Sequence, residues 1–98
     1  MNFKIIYNPD IYNDIQEAID WYNEQQSGLG IRFYNALQKQ LNTLTKNAFL
    51  YAIRYDDVRC LPLKAFPYMI HYRVDMNQRI VKVEAVIHTG RDPNTWKE

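Results

Sequence analysis

A chain of 98 residues with a formal net charge of +1 supports one core but not a core plus a separate functional module, and it is no polycation that grips nucleic acid through bulk charge. Composition is that of a soluble globular protein enriched in rings, with eight tyrosines, four phenylalanines and two tryptophans. The single cysteine, Cys60, excludes an internal disulfide and a cysteine-held zinc, and it fits a reducing cytoplasm. The opening MNFKIIYNPD has neither the flanks of a signal peptide nor a run of membrane-spanning length, so a cytoplasmic protein without membrane contact is expected. One domain over residues 1–98 is expected. Charge is mildly uneven, −1 over residues 1–53 and +2 over residues 54–98.

The first element is a short strand, Phe3 to Tyr7, followed by a helix-start signal in Asn8-Pro9-Asp10. Asn8 serves as N-cap, Pro9 fits the first helical position because its missing N–H has no partner there, and Asp10 suits the positive end of the dipole. Ile11, Ile15, Ala18, Ile19 and Tyr22 then recur on one face of a helix running to about Gln26, with Asp14, Glu17, Asp20 and Glu24 on the other side. Ser27 to Gly30 break that helix, and a second carries Phe33, Leu37, Leu41 and Leu44 to about Asn47. The two helices form an antiparallel hairpin whose apolar stripes need a cover.

Three strand-like stretches supply it: Val58 to Leu63, Pro67 to Val74 and Arg79 to His88, the last two joined by a hairpin at Asp75 to Gln78. The segment Ala48 to Asp57 reads as an ordered connection held by its aromatics. In the middle strand Tyr68, Ile70, Tyr72 and Val74 share one face, and Met69, His71 and Arg73 the other. In the last strand Val81, Val83, Ala85 and Ile87 alternate with Lys82, Glu84 and His88. The expected fold is α+β in β-α-α-β-β-β order, a helical hairpin on a small, mainly antiparallel sheet. The sheet's second face, mixed and partly basic, is the place to look for function.

Among chemistry-bearing residues, His71 and His88 lack carboxylates at ligand spacing, so no metal site and no cofactor is expected. His88 suits acid–base chemistry by its intrinsic pKa, yet a hydrogen-bonded histidine at a strand end is the commoner case. Cys60 reads as a packed, inert thiol. The basic set Arg59, Lys64, Arg73, Arg79 and Arg91, with Tyr68, Tyr72 and Trp96 nearby, fits either contacts to phosphates or an acidic partner, or a solvated face in which Arg59 pairs with Asp56 or Asp57.

The stretches IQEAIDWYNEQQSGLGIRFYNALQKQLNTL, YDDVRCLPLKAFPYMIHYRVD and VIHTGRDPNTW together resemble the RelE/ParE superfamily of type II toxin–antitoxin toxins, nearest its ParE or plasmid-stabilisation branch. The resemblance spans nearly the whole chain and implies the same helical hairpin on a sheet. It implies a toxin neutralised by a cognate antitoxin, which lays a helix and an extended segment over the groove and sheet edge, in a dimer or hetero-oligomer with the toxin. RelE-like members cleave mRNA on the ribosome and place lysines on the strand before the central hairpin, an arginine after the central-strand tyrosine and another after the last strand. Here those positions hold Cys60, Pro62 and Met69, and only Arg91 matches. ParE-like members with a known target bind DNA gyrase. The resemblance thus favours gyrase inhibition by contact over a ribonuclease built from Arg91, His88 and Lys64, with a toxin fold kept as a non-toxic interaction module as the remaining reading. Residue pattern and resemblance together give Arg59, Tyr68, Arg73, His88, Arg91 and Trp96 as candidate contacts for target or antitoxin, with Asp92-Pro93 read as a turn and Trp96 as the anchor of the tail.

Overall fold

The computed structural model describes residues 3–90. β1, Lys4–Tyr7, leads through a turn at Asn8 to Asp10 into α1, Ile11–Gln25. Asn8 does its expected chemistry one step early. Its Oδ1 accepts the Asp10 N–H at 3.0 Å and its carbonyl accepts from Ile11, so the cap position falls to Asp10 and the helix begins after the proline instead of on it. Ile11, Ala18 and Tyr22 are buried, and Ile15 and Ile19 pack beside them.

α2, Leu29–Lys46, returns antiparallel and buries Phe33, Leu37, Leu41 and Leu44, as their spacing predicts. The two glycines of the turn have different tasks. Gly28 takes a φ of 88°, the left-handed conformation that costs glycine little. Gly30 lies inside α2 where the helices nearly touch: a Cβ there would meet the Ile19 carbonyl oxygen at 2.6 Å and the Asn23 side chain at 2.7 Å. Asn23 Oδ1 accepts the Gly30 N–H at 2.8 Å, satisfying an amide that the first turn leaves without a helical partner.

The three predicted strands form as β3, Val58–Pro62, β4, Tyr68–Asp75, and β5, Ile80–His88. A fourth was not foreseen. β2, Ile53–Tyr55, lies in the segment read as a plain connection and pairs antiparallel with β3; three residues are too few to establish a period in sequence. The sheet order is β1-β5-β4-β3-β2, with β1 parallel to β5 and the rest antiparallel, giving the β-α-α-β-β-β-β sequence of an α+β fold. The connection before β2 is held by polar ties as well as rings. Tyr72 Oη donates to the Ala48 carbonyl at 3.1 Å, and Arg59 Nη1 donates to the Tyr51 carbonyl at 2.7 Å.

Helices and sheet close on a core centred on aromatic rings. Tyr22 stacks on Phe33 at 5.3 Å, and Phe33 meets Tyr68 edge-on at 4.9 Å. Burying each such side chain stabilises the fold by about 1.5–3 kcal/mol.

One irregularity in β5 corrects the expected alternation. Tyr72 faces Val83 and its neighbour His71 faces Ala85, so Glu84 has no partner across the ladder: a β-bulge. Up to Val83 the alternation holds. Beyond the bulge it inverts, so that Val86 and His88 face the helices beside Ile70 and Tyr68, while Ala85 and Ile87 pass to the outer side with His71 and Met69. His88 therefore does not share a face with Lys82 and Glu84.

Gly30→Ala tests the close helix contact. Because the added carbon meets backbone as well as a side chain, thermal unfolding should show a loss of about 1–3 kcal/mol, whereas an unchanged melting curve would place the helices farther apart.

Candidate functional site

The outer face of the sheet, away from the helices, brings Cys60, His71 and Ala85 into register across β3, β4 and β5. Tyr55, at the end of β2, covers His71: its Oη lies 3.0 Å from His71 Nδ1, and Cys60 Sγ lies 3.5 Å from the same nitrogen. His71 is only 1% exposed. Burial, with the Arg54 guanidinium adding to it, draws its pKa down to about 4, so the ring is neutral at pH 7. Burial also pushes the Cys60 thiol and the Tyr55 phenol up. The sequence put His71 on the correct face but treated that face as open, because the covering strand β2 was not legible.

Arg73 lies on the same face in a small ionic network. Its guanidinium reaches Asp57 at 3.3 Å and Glu84 at 3.3 Å, and Lys82 lies 3.9 Å from Glu84. Arg59, expected to pair with Asp56 or Asp57, instead stands opposite Tyr72 on the helix side, with its guanidinium 4.9 Å from the Phe49 ring centre. It clamps the connection after α2 and is not part of the outer face. Tyr68 is buried in the aromatic core. Among the expected contact residues, Arg91 and Trp96, together with Asp92 and Pro93, lie outside the described residues.

His88 belongs to a groove between α1 and the end of β5. The groove encloses about 530 Å³ and is lined by Asp14, Glu17, Ala18 and Trp21 from the helix and by Tyr68, Val86, Ile87 and His88 from the sheet. His88 meets Tyr68 edge-on at 5.1 Å, and its Nδ1 accepts the Gly90 N–H at 3.0 Å. The sheet edge beside this groove is open. β1 pairs with β5 only from Ile80 to Val83, after which the Asn8 N–H donates to the Val83 carbonyl and the chain departs into α1. No described strand pairs with Glu84 to His88 on that side.

Lys64 lies elsewhere, in a second groove of about 340 Å³ against α2, with Arg32, Lys39 and Phe66. The structure thus separates what the sequence grouped: Arg73 on the outer face, Arg59 at the clamp, Tyr68 and His88 at the α1 groove, Lys64 at the α2 groove. His88 and Lys64 do not line a common site. Sequence reasoning missed Trp21, Asp14 and Glu17 as groove walls, although an indole off the apolar stripe of α1, among its carboxylates, is a signal that could have found them; in the structure Trp21 is 55% exposed. Among the described residues, no three or more His, Cys, Asp or Glu side chains converge on a possible metal position. No described helix is long and apolar enough to cross a membrane.

A family model described as "ParE toxin of type II toxin-antitoxin system, parDE" matches residues 5–93. Among solved structures, a chain of the chromosomal ParDE toxin–antitoxin system from P. aeruginosa superposes with a TM-score of 0.74 at 17% identity, over 88% of this chain and 95% of that one. A chain of the archaeal RelE–RelB complex from Pyrococcus horikoshii OT3 superposes with a TM-score of 0.58 at 13% identity, over 94% of this chain and all of that one. At these identities the two structures speak to the fold. No curated protein matches the chain.

The buried imidazole gives a pH prediction with a definite sign. An unfolded His71 takes its proton near pH 6.5 and the folded one near 4, so between those values the unfolded chain binds more protons and stability falls as pH drops. Denaturant melts of the wild type and of His71→Asn from pH 7 to pH 4 should differ in slope, the wild type losing roughly 2–3 kcal/mol more. Parallel curves would mean that the ring is not held neutral.

Proposed function

The chain belongs to the ParE toxin family of type II toxin–antitoxin systems, and from that premise we propose that it arrests its host by binding DNA gyrase and is silenced by a cognate antitoxin. The observation that carries the choice of target is the chemistry of the outer sheet face. Cleaving RNA calls for cations placed to stabilise phosphate charge and for a group that exchanges protons near neutrality. At the positions where ribonuclease relatives are expected to place lysines and arginine, this chain has Cys60, Pro62 and Met69, beside a buried, neutral His71, while Arg73 is engaged by Asp57 and Glu84. Such a face suits contact with a protein surface. In this reading Arg73 and Arg91 are the cationic contacts to the target.

The antitoxin takes the groove of α1 and the open edge of β5. An extended segment can add backbone hydrogen bonds along Glu84 to His88, with the exposed Trp21 indole as its anchor. The complex with the antitoxin, and a place for it in plasmid maintenance within the cytoplasm, belong to the same reading.

Two outcomes follow. Controlled expression without antitoxin should arrest growth with relaxed plasmid DNA and intact mRNA, and the Arg73→Ala/Arg91→Ala double variant should fold yet arrest growth weakly; cleaved mRNA would favour the ribosome-dependent ribonuclease instead. Trp21→Ala should stay toxic but lose at least tenfold in affinity for the antitoxin, measured by calorimetry, since a central tryptophan is commonly worth about 2 kcal/mol or more at an interface. Undiminished affinity would move the antitoxin off the α1 groove.

A further inference from the structure

From Gln25 to Tyr55 the sequence contains no aspartate or glutamate, although Arg32, Lys39, Lys46 and Arg54 fall within those residues. The carboxylates of the helical hairpin are confined to α1, as Asp14, Glu17, Asp20 and Glu24, so the two helices carry opposite charge. Arg32 and Lys39 are seven residues apart, two turns along the same flank of α2. That flank meets the β3–β4 loop, where Lys64 completes a groove of about 340 Å³ with Asn35 and Phe66. No carboxylate lines it, and among the described residues none of the three cations has a carboxylate within 4.0 Å.

The groove is built firmly. Gln40, buried at its base, donates to the Pro62 carbonyl at 2.6 Å and ties α2 to the end of β3. Phe66 is half-buried and held at right angles to Tyr22 and Phe33, at 5.1 and 5.5 Å. Between Lys64 and Phe66 stands Ala65 with a φ of 71°, a left-handed conformation that a residue with a Cβ adopts only when its surroundings impose it. Backbone of this kind recurs at ligand sites.

We propose that this groove binds the phosphates of a single-stranded nucleic acid. Three like charges lining one groove without a carboxylate among its walls repel one another, and an anion relieves that repulsion. Arg32 and Lys39 span on the order of 10 Å along the helix, room for two or three phosphates of a stacked strand at roughly 3.4 Å each. An acidic peptide would meet the charges but not use the ring, whereas a base stacks on a partly exposed phenyl group; a cationic groove with an aromatic wall is the arrangement that single strands favour. The near-neutral whole molecule confines the attraction to this groove. The site is neither the outer sheet face nor the α1 groove, and it stands independently of gyrase and antitoxin.

Fluorescence anisotropy of the full chain with labelled 15-mers of deoxythymidine and of uridine, between 50 and 200 mM salt, tests the proposal. Binding should fall with salt at a logarithmic slope of about −2, as three cation–phosphate contacts on a single strand imply. The triple variant Arg32→Gln/Lys39→Gln/Lys64→Gln should lose at least tenfold in affinity and most of the slope, while Lys46→Gln, on the same helix outside the groove, stays within twofold. Phe66→Leu, which keeps apolar packing, should lose several-fold. A preference for one 15-mer over the other identifies the strand as DNA or RNA. No binding by the wild type, a triple variant within twofold of it, or a polyglutamate peptide that binds as tightly as the 15-mers would each overturn the proposal, the last in favour of an acidic protein partner.

Discussion

Tyr72 faces Val83, His71 faces Ala85, and Glu84 between those two β5 residues faces nothing across the ladder. A β-strand alternates its side chains with a period of two, so a single extra residue exchanges the faces of everything beyond it. Without the bulge, Val86 and His88 would leave the helices and Ala85 and Ile87 would turn inward. With it, Val86 closes the core beside Ile70, His88 reaches Tyr68 and the α1 groove, and the small Ala85 stands next to His71, which Tyr55 covers. The bulged residue is not idle, since its carboxylate receives the Arg73 guanidinium.

The bulge also adjoins the place where β1 stops pairing. The parallel ladder between β1 and β5 ends at Tyr7 and Val83, one residue before Glu84, and from there β5 runs on beside α1 with an open edge. An open edge next to an aromatic groove is an invitation to another chain, and a fold that must stay monomeric normally blunts such an edge. Here the edge is short and carries Glu84 at its start, which suits a partner whose sequence is matched to it better than indiscriminate pairing.

Much of this architecture was legible from the residues. Ile11, Ala18 and Tyr22, and Phe33, Leu37, Leu41 and Leu44, specify their helices through spacing alone, and Asp75 to Gln78 mark the hairpin between long strands. What was not legible shares one cause: it depends on single residues whose effect is not periodic. The strand β2 is three residues long, the bulge is one residue in nine, and the role of Gly30 depends on how near Ile19 comes, which no helical period encodes. The candidate site suffered most: alternation put His88 with Lys82 and Glu84 and fails at the bulge, while Arg59, expected to pair with Asp56 or Asp57, stands opposite Tyr72 on the helix side. The family resemblance, resting on the order of motifs over the whole chain, survived these local errors.

On the proposed reading the chain is a toxin whose outer face works by contact, with His71 buried and neutral where hydrolysis would need a mobile proton. The most direct measurement is supercoiling of relaxed plasmid by purified gyrase, titrated with the purified chain, beside mRNA cleavage on purified ribosomes at the same concentrations. Stoichiometric inhibition of gyrase with mRNA left whole is the expected result. Unaffected gyrase together with codon-positioned cuts in mRNA would contradict it.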